Sequence, residues 1–571
     1  MMIYANIDDI KDLSIFKQLD HPVALTAPLI VDDQVLIGMY CHLTGSACMH
    51  LDINKLVDLK HFLYDPKLFR LLVHGIKRIW ENHEIGTLDT YTDAIYDSEL
   101  MAYLLDSGRD EHEYSLSRLA YRYLDVTYPH RADDLFEKDY PEVLYELLAY
   151  DAELIADLAA VLLDKMDADL QFLYFYAELR IALILNEMSR YGIPVDGQAA
   201  AQVYRDTVAQ REELEQEITG GKDYNLWDGS HVYQILKERK ARFPSSVIIR
   251  REEVSEADLK RMSSYNPIAS KILTWRDLLR TDLKFLEKAA GKSRIHPRWN
   301  MITKTSRITA SNPAVQNVNK VTCRPLMRPE PGWVMIKADY KQIQMRILVS
   351  LSNDPELVAA FREGRDVHWL TVEMCSIQGA TDKERRDKAK AVNYGILFQQ
   401  SAHSLSRDLG TDVRTAQGYI NAFWAKYSVA KKYLDDFVAG LKEKKLEERI
   451  IRSYLGRMRH LDGKFGRHER NAAKASLLQQ MEADILRIAV MRLYTKFRSL
   501  GMKSRIVMVI HDAVYVEAPE EESEQARYWT KAIMEDTVEM PIVSLVVDIC
   551  QSPQLNHQFP AAKDALSEAR T

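Results

Sequence analysis

Ile506-Val507-Met508-Val509-Ile510-His511-Asp512-Ala513-Val514-Tyr515-Val516 consists of two apolar, β-branched runs joined at His511-Asp512. It predicts a β-hairpin with a carboxylate at its turn. A second strand-like run, Val334-Met335-Ile336-Lys337-Ala338-Asp339-Tyr340, also ends on an aspartate. A carboxylate against a core strand is costly to desolvate unless something compensates it. A shared divalent cation compensates both at once. Paired carboxylates with room for phosphates are the Mg²⁺ arrangement of phosphoryl-transfer enzymes. Either aspartate alone reads equally well as a turn residue at a strand end, so the residues between them decide.

Residues 383–400 read KERRDKAKAVNYGILFQQ. Arg386, Lys390 and Tyr394 are spaced i, i+4, i+8 and share one face of a helix. Two cations one turn apart suit a triphosphate, and an aromatic one turn further suits a base. A surface helix with scattered charges would not need Asn393, Tyr394 and Gly395 breaking an apolar run.

The 571 residues, 47% hydrophobic and 28% charged, allow two or more domains with a large core. No apolar stretch has the length of a membrane span, and the start lacks the pattern of a secretory signal. Five scattered cysteines suit a reducing cytoplasm. Cys41, His42, Cys48 and His50 cluster, but with no common zinc spacing. Net charge is −7, yet residues 449–474 carry Arg449, Arg452, Arg457, Arg459, Lys464, Arg467, Arg470 and Lys474 against Asp462 and Glu469. That asymmetry suits a phosphate-binding groove, or else a solvated basic face. Residues 1–165 read as a small α/β unit. Long charged helices are expected to about residue 290, strands near 294–299 and 333–338, and helices again over 355–450.

With these segments in view, the chain resembles a family A DNA polymerase of the Klenow-fragment type, without the 5′-nuclease domain. DYKQIQMR (339–346) resembles the first palm motif, residues 386–395 the fingers helix, and His511-Asp512 the last palm motif. TSRITASNPAVQN (305–317) is similar to the segment that meets the primer terminus; Asp366-Val367-His368 and residues 178–196 match too. Several motifs in order over most of 170–560 make the resemblance specific. It implies an α/β and α+β multidomain chain: a degenerate ribonuclease-H-like 3′–5′ exonuclease domain (1–165), then a right-hand polymerase domain (166–571). The latter would have its thumb at about 200–290, palm at about 294–350 and 451–571, and fingers at about 355–450.

The resemblance also implies roles. Asp339, Asp512 and the Tyr340 carbonyl would bind two Mg²⁺ ions, with Mn²⁺ as a substitute. Gln342, Gln344, His368, Arg386, Lys390 and Tyr394 would meet the incoming dNTP. Arg307 would reach the minor-groove edge at the primer end, Gln316, Asn317, Gln479 and His511 the duplex, and Phe398 the template base. The expected partners are primer–template DNA and dNTPs, with the chain acting as a cytoplasmic, nucleoid-associated monomer and no membrane partner.

Departures from the family pattern refine these expectations. Gln344 stands where a Glu usually blocks the ribose 2′-hydroxyl, so the steric block stays and the charge goes; weakened sugar discrimination is expected. Ala513 replaces an acidic residue after the last aspartate. Tyr394 resembles the members that accept dideoxynucleotides. Phe398-Gln399 replaces the usual Tyr-Gly, which points to altered fidelity. Residues 467–484 align with one extra residue, leaving Arg470 or Asn471 at the family's arginine position and Gln480 in place of a Gly. In the N-terminal unit Thr26, Pro28 and Ile79 occupy metal-ligand positions, leaving only Asp97 and Asp151 nearby; proofreading is not expected. A lesion-bypass or gap-filling specialist is the alternative enzyme, and a catalytically dead DNA-binding scaffold the alternative of another class.

Overall fold

The computed structural model describes residues 95–127 and 141–552, except 242, 244–252, 264–265, 279–281, 454, 462–464 and 541, together with short segments between residues 3 and 74. Thr26, Pro28, Ile79 and the chain beyond residue 552 lie outside the described residues, as do the side chains of Cys41, His42, Cys48 and His50.

The sheet that positions the site has four antiparallel strands: β1 (Trp333–Tyr340), β2 (Arg505–Ile510), β3 (Ala513–Pro519) and β4 (Val547–Gln551), in the order β2-β3-β1-β4. Central β1 is buried on both sides because its residues are apolar nearly throughout, and it ends where Asp339 and Tyr340 meet the connection to the next helix. The expected hairpin is present as β2 and β3, with a bulge between Ile506 and Met508. The right-handed twist such a bulge adds bends the hairpin.

Six helices matter to the site: α1 (Leu179–Tyr191), α2 (Ile343–Ser352), α3 (Val367–Cys375), α4 (Asp382–Leu397), α5 (Arg467–Ser499) and α6 (Ser523–Glu535), of which α1, α5 and α6 pack on this sheet. The Gly-Ile-Pro stop expected after α1 is observed, with Gly192 at φ 70°. The longest helix, α5, packs on α1, α2 and α6. Its start is closed by Glu469, whose carboxylate accepts the Gly466 amide at 3.1 Å, and its last turn carries Lys496 and Arg498. Leu478, Leu486, Leu493 and Phe497 are buried along it. Each such side chain contributes roughly 1.5–3 kcal/mol on burial.

Within residues 197–290, buried residues from Ile218 to Trp275 share a core of their own, while Ala200, Val203, Phe285, Leu286 and Ala289 join the main core. Among the described residues the helices there are shorter than their charge patterns suggested, one of 23 residues followed by four of 7 to 11. The strand expected at 294–299 is two short strands, Arg294–Ile295 and Arg298–Asn300, parted at His296-Pro297 because proline has no amide to give a ladder.

The N-terminal unit is built on a seven-stranded mixed sheet whose last strands, Leu71–Val73 and Ile95–Asp97, are parallel. Asp97 caps the helix Ser98–Leu105, accepting the Glu99 amide at 2.9 Å. The main core runs without interruption from Val73 and Ile95 through to Val547, across the boundary expected at 165/166.

Beneath the site lies a buried ionic network. Arg457 bonds Asp484 at 2.8 Å through Nε and also bonds Glu178. Arg487 bonds Glu178 and donates to the Met301 and Ser306 carbonyls, both at 2.7 Å. All four ionic side chains are essentially inaccessible. Burial alone would raise the Glu178 carboxyl pKa, but the two guanidinium groups outweigh it and hold that pKa below the usual range. The network ties Glu178, just before α1, and α5 to the 301–307 loop. Arg457 is therefore internal, and not part of a basic surface.

Candidate active site

Asp339 and Asp512 converge. Asp339 lies opposite Ala513 on β3 and Asp548 on β4, and the Tyr340 amide donates to the Asp512 carbonyl at 3.4 Å. His511, at φ 54°, makes the left-handed turn that brings Asp512 back toward β1. Burial, and then the neighbouring Asp339 carboxylate, push the Asp512 carboxyl up to about 7. Asp339 is paired to Lys337, two residues back on the same strand face, at 2.9 Å. Burial lowers the Lys337 ammonium pKa, but Asp339 outweighs that and leaves it raised. Two converging carboxylates, one without an ion pair among the described residues, are a donor set that fits hard divalent cations, with the Tyr340 backbone carbonyl as a neutral oxygen beside them.

The cationic helix α4 starts at Thr381, whose hydroxyl accepts the Glu384 amide at 3.1 Å. Arg386 is held by Asp366, Nε to Oδ2 at 2.8 Å. The other Asp366 oxygen accepts the His368 amide at 2.8 Å, capping α3, and lies 3.5 Å from the Gln342 amide nitrogen. One carboxylate thus orders three of the expected nucleotide contacts. Burial alone would raise its pKa, but the Arg386 and His368 bonds hold it down. Lys390 is exposed, has no ion-pair partner among the described residues, and lies 5.8 Å from the centre of the Tyr394 ring.

His368 is buried. Its Nδ1 receives the Asn393 amide at 2.9 Å, and the Thr371 hydroxyl donates to the Asn393 oxygen at 2.8 Å. Burial pushes the imidazole down to about 4, so it is neutral at physiological pH. Tyr394 stacks on Phe398, with planes 16° apart and centroids separated by 6.2 Å. The Arg307 guanidinium lies over the other aromatic of that pair, 5.5 Å from the Phe398 centroid.

Arg307 is also a bidentate partner of Glu482 on α5, at 3.1 Å and 2.9 Å. Glu482 receives the Gln344 side-chain amide as well. Glu482 was not singled out in the sequence. The available signal was a carboxylate just before the largely apolar helical run Ile485–Val490, which needs a partner if buried.

The remaining expected DNA contacts are more varied. Gln316 is engaged with backbone, donating to the Val509 and Ile308 carbonyls at 2.8 and 2.9 Å and accepting the Ala310 amide at 3.1 Å. It ties the 305–317 segment to β2. Asn317 and His511 are exposed, and Gln479 is half-buried on α5. The Asn471 amide nitrogen lies 3.5 Å from the Gln399 carbonyl at the end of α4, while Arg470 faces solvent. Arg452 and Lys474 are paired to Asp167 and Asp435, so part of the basic stretch serves internal ion pairs. Lys320, also missed in the sequence, stands with Arg324, Lys390 and Lys337 in a cationic group around Asp339; its pKa is lowered by burial and by those cations.

In architecture the chain is a polymerase domain. The family model described as DNA polymerase family A matches residues 198–556, and the chain belongs to that family. It is similar to DNA polymerase I of Caldicellulosiruptor bescii (28% identity, covering 84% of this chain and 56% of that protein). It is also similar to DNA polymerase I of Borreliella burgdorferi (26% identity, covering 92% and 60%). The chain therefore spans somewhat over half the length of these relatives. The solved POL domain of Pol1 from M. smegmatis, in complex with DNA primer-template and dNTP, shares the fold with a TM-score of 0.78 at 22% identity, covering 97% of this chain and 99% of that one. Among the described residues no helix is long and apolar enough to cross a membrane.

Proposed function

We propose that this chain is a DNA-directed DNA polymerase that adds dNTPs to a primer 3′-hydroxyl, working as a monomer in the cytoplasm at the nucleoid. The observation that carries the reading is the face formed by Arg386, Lys390 and Tyr394 on a family A fold whose β1 and β2–β3 turn bring Asp339 and Asp512 together.

Arg386, oriented by Asp366, and the exposed Lys390 take the triphosphate. Neutral His368 donates from Nε2, because Nδ1 is already an acceptor. Tyr394, backed by Phe398, stacks beside the new pair. Asp339, Asp512 and the Tyr340 carbonyl would hold divalent ions, Mg²⁺ with Mn²⁺ as a substitute, which would supply charge neutralisation at the attacking and leaving oxygens. Residues 166–571 supply thumb, palm and fingers, and closing of α4 over a correct pair serves as the fit check. The N-terminal unit serves as a wall of the molecule and does not proofread: Asp97 is committed to capping a helix, and Thr26, Pro28 and Ile79 are not metal ligands.

The test is extension of a 3′-mismatched primer–template with Mg²⁺ and four dNTPs, beside Asp512→Asn. Extension that keeps the mismatch and is lost in the variant is expected. No extension by the wild-type chain would favour a DNA-binding scaffold, and trimming before extension would overturn the exonuclease reading. The Arg307–Phe398–Tyr394 stack, beside Gln399 in place of a Gly, favours a lesion-bypass or gap-filling specialist as a second reading. Misincorporation no higher than that of an exonuclease-deficient relative would remove it.

A further inference from the structure

Gln344 and Glu482 are both nearly inaccessible, 3% and 2% exposed, and come from elements far apart in sequence. Gln344 is in the first turn of α2, directly after the strand that ends at Asp339 and Tyr340. Glu482 is in the middle of α5. A buried carboxylate needs partners, and Glu482 has two: the Arg307 fork, and the Gln344 amide on the same oxygen that takes Arg307 Nη2.

The pairing fixes the chemistry of Gln344. A carboxylate only accepts hydrogen bonds, so the Gln344 nitrogen must face Glu482, and its oxygen is the atom left to face away. Without that partner a glutamine amide turns between two nearly equivalent orientations about its last bond. The negative charge expected at position 344 is thus present in the site, carried by a different helix.

We propose that Glu482 is a positioning residue for sugar selection. By holding Gln344 with its carbonyl oxygen outward, and Arg307 in place, it rebuilds from α5 the gate against a ribose 2′-hydroxyl. This rests on the polymerase reading above. It replaces the weakened discrimination expected from Gln344 alone with retained discrimination that depends on Glu482.

The test measures the ratio of kcat/KM for a dNTP to that for the matching rNTP, on primer–template with Mg²⁺, in wild type, Glu482→Ala, Glu482→Gln, Gln344→Glu and the double variant Gln344→Glu/Glu482→Ala. The ratio is taken within each preparation, so a lower folded fraction cancels. Glu482→Ala is expected to lower the ratio roughly tenfold, and Glu482→Gln, which keeps the shape, by less. Gln344→Glu puts two carboxylates in contact and is expected to cut dNTP kcat/KM by roughly tenfold or more. The double variant leaves one carboxylate opposite Arg307 and is expected to recover both quantities to within about threefold of wild type. A wild-type ratio in Glu482→Ala and Glu482→Gln, or losses that simply multiply in the double variant, would overturn the proposal. Failure of the wild-type chain to use dNTPs at all would instead sink the polymerase reading.

Discussion

The Asn393 side-chain amide donates to His368 Nδ1 at 2.9 Å, and this one bond places the proton of the neutral imidazole on Nε2, the atom that the proposed function turns toward a phosphate oxygen. Replacing Asn393 by Ala leaves the ring free to take either tautomer. A rise in dNTP KM of roughly three- to tenfold with a smaller change in kcat is expected. Steady-state kinetics on primer–template checks it.

The same histidine predicts a pH dependence. Its folded pKa of about 4 lies below the ordinary value of about 6.5. The sign is that of a depressed group: its contribution to stability is complete above the unfolded value and is lost as pH falls toward the folded one. Between pH 7 and pH 4 the wild type should therefore lose stability that His368→Asn does not lose. Thermal melts of both across that range give the comparison; parallel curves would count against a buried neutral imidazole.

Asp366 joins Arg386 to the start of α3. Asp366→Ala removes a helix cap worth about 1 kcal/mol and releases the guanidinium. Both a lower melting temperature and a higher dNTP KM are expected. Asp366→Asn keeps the cap and weakens only the ion pair, so it should restore the melting temperature and not the KM.

Glu178 balances two buried arginines. Glu178→Gln leaves those charges undercompensated and should cost roughly 3–5 kcal/mol at pH 7. Because the folded pKa of Glu178 is depressed, its contribution is present above the ordinary value of about 4.5 and is lost as pH falls below that. The gap between wild type and variant in urea denaturation should therefore narrow in acid.

Gln399 sits at φ 58°, in the left-handed region that glycine enters freely. Gln399→Gly should stabilise the fold by about 0.5–1 kcal/mol, offset in part by loss of the Gln399 bond to the Ile396 carbonyl. If Gln399 shapes the template side of the site, the same variant should also lower misincorporation; a fidelity assay reads that directly.

The aspartates were legible because a strand pattern ending on a carboxylate is local, and so was the Arg386–Lys390–Tyr394 face, which a helical period alone defines. Glu482 was not legible, because its meaning depends on Arg307 and Gln344, 175 and 138 residues away. Charge counting over residues 449–474 was misled by Arg457, whose partners Glu178 and Asp484 come from other helices. Gln316, expected on the duplex, has a partner on β2 that no local pattern shows.

Tyr103 lies 5.5 Å below Arg457 and 5.9 Å from Arg487, and bonds the Thr303 carbonyl at 3.1 Å; four residues on, Ser107 bonds Gln480 at 2.9 Å. A chain shortened to begin at residue 166 would open the underside of its own active site and wet two guanidinium groups set for a dry interior. The N-terminal unit is therefore anchored by architecture whether or not it ever touches DNA.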